Sequence, residues 1–185
     1  MKEISLNILD IAENSVKAGA TLTQILISED ALSLSLTIKD DGCGMSEETL
    51  LSVTNPFYTT RTTRKVGLGI PFLKMASEQT GGKFTVSSVL KTESSESHGT
   101  TVTATFNKEH LDYTPLGDVI SSIITLIQGH PNTDFLFSHK SENLNVSLDT
   151  RELRAVLGDV SLAEFEILEW ISAYLNEQYG NINKK

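Results

Sequence analysis

Two glycines, Gly67 and Gly69, stand directly before an apolar run that is spaced like a helix. The start of a helix carries unpaired N–H groups and a partial positive charge, and both suit a phosphate. A Gly-x-Gly before a helix also occurs as a closely packed tight turn, so the pattern alone leaves both interpretations open. The choice depends on which other residues the chain can bring to this loop.

A carboxylate and an amide lie on the first predicted helix, which covers residues 3–18. Asp10 and Asn14 are four residues apart, so their side chains project from one face of that helix, one turn from each other. They form either a solvated polar face or a pair of groups that is aimed into a cleft.

Another acid follows the second predicted strand. Asp40 is followed by Gly42 and Gly44, a pattern typical of a tight turn at the end of a strand. In one interpretation the acid is exposed in a plain turn. In the other it accepts a hydrogen bond from an adenine amino group, while the glycines let the base approach the backbone.

Three cations precede the glycine loop. Arg61, Arg64 and Lys65 lie close together in the polar connector that covers residues 54–65. They could face a phosphate tail, and they could equally belong to a solvated loop.

In this order, the four groups resemble the ATP-binding domain of the GHKL superfamily, which is also called the Bergerat fold. Sensor histidine kinases, type II topoisomerases, the heat-shock chaperone ATPase and the mismatch-repair ATPases share this domain. The resemblance covers about residues 3–108. Residues 12–21 look like the N box of the mismatch-repair branch, whereas residues 55–61 and 67–72 look like the F and G2 boxes of the histidine kinase branch.

The resemblance implies a role for each matching residue. Asn14 would hold Mg²⁺ against the triphosphate, Asp40 would recognise adenine, and Gly42 and Gly44 would flank the base. Lys17, one turn after Asn14, could reach a phosphate. The further cofactor-binding residues that the resemblance implies are Thr60, Arg61, Gly67, Leu68 and Gly69.

Some positions depart from the family pattern. Residues 61–66 would form a short version of the mobile ATP lid, and Lys65 stands where the G2 box often has its first glycine. Asp10 replaces a glutamate that activates water in the ATPase branches, and it is one methylene shorter. Asp10 is therefore either a general base or a polar residue behind the reacting groups. The sequence consequently supports ATP binding better than ATP turnover.

The periodicity agrees with the fold that the resemblance implies. That fold is an α/β (α+β) two-layer sandwich, in which a mixed, mostly antiparallel sheet carries helices on one face. Helices are predicted at residues 3–18, from Ser46 and at 69–80, and strands at 21–28, 31–39, 83–89 and 100–106.

The chain is predicted to divide into an ATP-binding domain, residues 1–110, and a small C-terminal α+β region of unknown role, residues 111–185. Ser161 and Glu164 would form a capping box for the last helix, whose apolar stripe packs into the core or forms a partner or dimer face. The elements predicted here are a helix at 116–128, a hairpin of strands at 133–139 and 144–148, a helix ending at Leu157 and a helix at 162–178.

The composition limits the classes of partner that the chain is expected to bind and the compartment in which it is expected to work. The 185-residue chain has a formal net charge of −9, which disfavours binding to nucleic acid or to an anionic membrane. Its single cysteine, Cys43, excludes an internal disulfide and favours a reducing cytoplasm. No apolar run approaches the roughly 20 residues of a membrane span. None of the histidines stands in a metal-binding pattern.

The sequence therefore predicts a cytoplasmic, histidine kinase-like ATPase domain protein that binds ATP or ADP with Mg²⁺. We expect a stand-alone regulatory protein kinase or anti-sigma-like module without its own phosphoacceptor histidine, so that an unidentified protein partner supplies the acceptor. The alternatives are a nucleotide-gated protein-binding module with little or no catalysis and a slow ATPase that uses Asp10. A homodimer is left open.

Overall fold

The computed structural model describes residues 3–53, 69–92 and 97–180. The helices in this part of the chain are α1 (Ile4–Lys17), α2 (Glu47–Val53), α3 (Gly69–Gln79), α4 (Val119–Gly129), α5 (Thr150–Leu157) and α6 (Phe165–Gly180). The strands are β1 (Leu22–Glu29), β2 (Ser33–Asp40), β3 (Phe84–Val89), β4 (Gly99–Asn107), β5 (Asp134–Lys140) and β6 (Asn145–Asp149).

These strands form a single sheet in the order β3-β4-β2-β1-β5-β6. β1 and β2 are an antiparallel hairpin, and the carboxylate of Asp30 closes its turn by accepting the N–H groups of Leu32 and Ser33. The pairs β2–β4, β3–β4 and β5–β6 are also antiparallel, whereas β1–β5 is parallel. The prediction of a mixed, mostly antiparallel sheet in an α+β fold is confirmed.

The core lies between one face of this sheet and α1. Strand side chains alternate between the two faces, so Leu34, Leu36 and Ile38 of β2 are buried on the same side. α1 meets them with Ile8 and Ile11, whose spacing puts both on one helix face. α3 packs on α1 and on β3 and β4, while α4 packs on α1 and on β5. α1 is thus held by the sheet and by two helices.

The C-terminal strands extend the same sheet. β5 lies parallel to β1, with Phe135 opposite Thr23 and Phe137 opposite Ile25, and both phenylalanines are fully buried. α4 packs on α1, and α6 packs on α4 and β6. The predicted hairpin and helices of this region are therefore present, and their core is continuous with that of the first four strands. The division of the chain at residue 110 stays a prediction.

Two helices of this region begin three residues later than predicted. α4 begins at Val119, because the side chain of Asp118 accepts the N–H of Ser121 and so caps the helix there. α6 begins at Phe165, and the predicted capping box is wrong. The Ser161 hydroxyl accepts instead from the N–H of Ala163, two residues on, within the turn before the helix.

A continuous core predicts that a change in α1 also destabilises the C-terminal helices. Ile8→Ala removes a fully buried side chain and should cost about 2–5 kcal/mol of unfolding free energy. Trp170 on α6 is the single tryptophan, and it stacks on Tyr174 with ring centroids 5.1 Å apart. The urea midpoint measured by Trp170 fluorescence should fall by as much as the midpoint measured by circular dichroism. A fluorescence midpoint that stays at the wild-type value would contradict the shared core.

Candidate nucleotide site

A cavity of about 210 Å³ opens beside the last turns of α1. Its walls come from α1, the end of β2, the loop that follows, α2, α3 and β4. Most of the wall is apolar, and Asp40 is its only acid among the described residues. The lining side chains and backbone belong to Ile11, Asn14, Ser15, Lys17, Ala18, Ile38, Asp40, Gly44, Met45, Thr49, Ile70, Thr100 and Val102.

Asp40 is fixed by donors from three parts of the fold, and only 8% of its surface is exposed. The Ser15 hydroxyl of α1 donates to Oδ2 at 2.8 Å. The N–H groups of Gly42 and Thr100 donate to Oδ1 at 2.9 and 3.1 Å. A carboxylate offers about four acceptor positions, so Oδ2 retains room for one further donor. Because Asp40 lines the cavity, that donor can belong to a bound molecule.

The neighbouring acid, Asp41, has a different role. Its carboxylate accepts the N–H groups of Thr21 and Leu22 at 2.7 and 2.9 Å and the Thr21 hydroxyl at 2.5 Å. Burial would raise the pKa of Asp41, but the hydrogen bonds from Leu22 and Thr21 outweigh it and hold the pKa below its ordinary value. Asp41 therefore joins the loop to the start of β1 and is absent from the cavity wall.

The loop after Asp40 needs glycine at two positions. A Cβ on Gly42 would lie 2.9 Å from the Cβ of Ala18, at the end of α1. Gly44 has φ +67°, and a Cβ there would lie 2.0 Å from the carbonyl oxygen of Val89. The spacing Gly-x-Gly thus lets the loop pass closely between α1 and the end of β3.

The same loop is held at three further points. The Cys43 N–H donates to the Ala18 carbonyl at 2.9 Å, and the Cys43 carbonyl accepts the Lys91 N–H at 2.8 Å. Nδ1 of His98 lies 2.7 Å from the Gly42 carbonyl oxygen. The edge of the cavity formed by this loop is consequently a fixed surface.

At its first residue, α3 touches α1. A Cβ on Gly69 would lie 2.8 Å from the Cβ of Asp10, so no other side chain fits without a shift. The structure thus brings Asp10 next to the helix start that the sequence predicts as a phosphate site. Asp10 is exposed and does not line the cavity.

The remaining predicted residues of α1 do line the cavity. The side-chain Nδ2 of Asn14 is buried and has no hydrogen-bond partner in the described part of the chain. Lys17 stands one turn later, and 71% of its side chain is exposed. The other predicted cofactor-binding residues, Thr60, Arg61, Gly67 and Leu68, lie outside the described residues, and their roles stay predictions.

The donor set limits how a metal ion could be held. Residues 3–53, 69–92 and 97–180 contain no group of three or more His, Cys, Asp or Glu side chains that could bind a metal. Mg²⁺ usually takes few protein ligands together with phosphate oxygens and waters. Asn14 fits that kind of site through its amide oxygen, because its side chain lies at the cavity wall, whereas the buried Nδ2 is a donor and cannot bind a cation.

Two residues that fix Asp40 were missed in the sequence. Ser15 follows Asn14 and stands four residues after the core residue Ile11, so the helical period could have placed it towards the sheet. Thr100 reaches Asp40 across a separation of sixty residues. That contact depends on the pairing of β4 with β2, for which the sequence carries no local signal.

Comparison with known proteins gives both a family and a fold. The family profile described as "Histidine kinase-, DNA gyrase B-, and HSP90-like ATPase" matches residues 2–110. Sporulation kinase A of Bacillus subtilis is 36% identical over 38% of this chain and 11% of its own length. DNA mismatch repair protein MutL of Listeria monocytogenes is 26% identical over 85% of this chain and 32% of its own.

The chain therefore spans a third or less of these two curated relatives. Among solved structures, the Aquifex aeolicus MutL ATPase domain complexed with ADP superposes with a TM-score of 0.56 and 17% identity. It covers 85% of this chain, which covers 69% of that domain. That likeness shows the fold. In the described part of this chain, no helix has the length and apolar character to cross a membrane.

The close passage of the loop can be tested with two glycines of like backbone. Gly44 and Gly81 both have positive φ, but a Cβ on Gly81 meets nothing within 4 Å. Each change to alanine costs about 1–2 kcal/mol for the left-handed backbone. Gly44→Ala should cost at least about 1 kcal/mol more than Gly81→Ala because of the overlap with Val89. Urea denaturation of both variants measures the difference, and equal losses would argue against this packing.

Proposed function

The chain belongs to the histidine kinase-, DNA gyrase B- and HSP90-like ATPase family, and on that premise we propose that it binds ATP with Mg²⁺ in the cavity beside α1. The observation that carries the proposal is the environment of Asp40. Three donors fix its carboxylate at the end of an apolar cavity, with one acceptor position left over.

Adenine suits this end of the cavity. Its amino group is the donor that Oδ2 of Asp40 can still accept, and its flat faces need apolar walls. Ile38 and Val102 from the sheet and Met45 from the loop offer such walls. Gly44 also lines the cavity, and as a glycine it presents only backbone there.

The phosphates would extend along α1 towards the start of α3. Asn14 would hold Mg²⁺ through its amide oxygen, and Lys17 would reach a phosphate from the cavity wall. The N–H groups at Gly69 add the partial positive charge of a helix start. When bound, Mg²⁺ would neutralise the phosphate oxygens.

Phosphoryl transfer to a protein partner is the activity that we propose for the bound ATP. Such transfer depends mainly on positioning and on electrostatic stabilisation, which α1 and the start of α3 can supply. Within the described residues no histidine lines the cavity. In this proposal the partner supplies the acceptor side chain, as in a regulatory kinase of cytoplasmic proteins.

Hydrolysis is a second candidate, favoured by the position of Asp10. Its Cβ lies against Gly69, at the helix start where the terminal phosphate would lie. A carboxylate in that place can orient a water molecule and accept its proton. A solved neighbour that covers most of this chain is, by its own description, a MutL ATPase domain complexed with ADP.

Asp40→Asn tests the adenine end. The change removes a charged acceptor, which is worth about 1.5–3 kcal/mol or tenfold to hundredfold in affinity. Titration calorimetry with ATP should show that loss. Asp41→Asn is the matched control, because the carboxylate of Asp41 accepts hydrogen bonds from Thr21 and Leu22 outside the cavity. The assignment is wrong if Asp40→Asn binds ATP like the wild type, or if both variants lose the same affinity.

Asp10→Asn and Asp10→Glu test the second candidate. A general base contributes typically 10²–10⁴-fold, so the asparagine variant should lose about a hundredfold or more of any ATP turnover while ATP affinity stays unchanged. The glutamate variant, which adds one methylene, should keep or raise turnover. Phosphate release under single-turnover conditions is the measurement. Undiminished turnover in Asp10→Asn rules out Asp10 as the base.

A further inference from the structure

One side chain links the C-terminal region to Lys17, a cation that lines the cavity. Glu13 lies on α1 between Asp10 and Lys17. Its Oε2 is 3.9 Å from Nζ of Lys17, and its Oε1 is 2.7 Å from Nε2 of His130, which follows α4. The two carboxylate oxygens are thus shared between a cation at the cavity wall and a histidine from the far part of the sequence.

The pair on α1 restrains Lys17. A glutamate four residues before a lysine is the favourable order for an ion pair on a helix. Lys17 lines the cavity, yet in this arrangement its ammonium lies towards Glu13. To contact a phosphate, the ammonium must move away from that carboxylate. The strength of the Glu13–Lys17 pair therefore opposes phosphate binding.

His130 competes for the same carboxylate. Its backbone is fixed, since its N–H donates to the Leu126 carbonyl at the end of α4 and its carbonyl accepts the Thr133 N–H. α4 in turn is fixed on α1, where the Ser122 hydroxyl donates to the Ser5 carbonyl at 3.2 Å. The packing of α4 consequently holds the imidazole against Glu13. Because the imidazole contacts the same carboxylate, it weakens the ion pair between Glu13 and Lys17.

We infer that Glu13 and His130 are positioning residues that set how readily Lys17 reaches a nucleotide phosphate. This inference rests on the proposed ATP site. It gives residues 111–185 a part in nucleotide binding through a side chain that contacts no nucleotide. It also predicts opposite effects for the two residues, because one restrains Lys17 and the other relieves that restraint.

The opposite signs make the test specific. Glu13→Gln frees Lys17 and removes a negative charge near the phosphates, so ATP should bind more tightly. His130→Ala removes the competing contact, so that Glu13 pairs with Lys17 only. Lys17 is then restrained more strongly, and ATP should bind more weakly. An exposed ion pair is worth roughly twofold to fivefold in affinity. The double variant should behave like Glu13→Gln, because His130 acts only through Glu13.

Titration calorimetry with ATP and competition with adenosine provide the measurement. Adenosine has no phosphate, so its affinity should be the same in all these variants. In a Lys17→Met background, His130→Ala should no longer change ATP affinity, and Glu13→Gln should keep only the smaller gain that comes from removing its charge. Glu109→Gln is the control for net charge, since Glu109 follows β4 at the end of the sheet away from Asp40.

The outcomes separate this inference from the proposed site. Losses of ATP and adenosine affinity together in both variants would show a merely structural role and overturn the inference. So would ATP affinities that equal those of Glu109→Gln. In both cases ATP binding by the wild type keeps the proposed function. If the wild type binds neither ATP nor adenosine, the proposed site fails and the inference fails with it.

Discussion

The hydrogen bonds that converge on Asp40 are the constraint on which the rest of the site depends. They come from α1, from the loop after β2 and from β4, so one carboxylate joins the helix layer to two strands of the sheet. A buried acid is costly unless donors compensate for the lost water. Removing any one donor would leave that cost less fully compensated. The positions of α1, the loop and β4 are therefore coupled to each other at this point.

α1 occupies the centre of the arrangement for the same reason. Its apolar face covers β1 and β2, and α3 and α4 pack on it. Its residues Asn14 and Lys17 line the cavity, while Asp10 lies against the start of α3. β5 and β6 widen the sheet beneath α4, so the C-terminal region supports α1 from the other side. The contact between His130 and Glu13 is a direct product of that support.

Local patterns in the sequence predicted much of this. The helical period gave α1, the alternation gave the β1–β2 hairpin, and Asp40 with its glycines was identified from an acid and Gly-x-Gly after a strand. The donors to Asp40 were not predicted, because Thr100 depends on long-range pairing. For the same reason the parallel pairing of β1 with β5 left no signal, since over a hundred residues separate Thr23 from Phe135.

Every role proposed for the cavity depends on one contact, in which Asp40 accepts a hydrogen bond from the amino group of a bound adenine. A crystal structure of the chain with ADP tests it most directly. We expect the adenine N6 to lie about 3 Å from Oδ2 of Asp40, with the base between Ile38, Met45 and Val102. A base that lies elsewhere, or one whose amino group contacts another acceptor while Asp40 keeps only its three protein donors, would contradict the account.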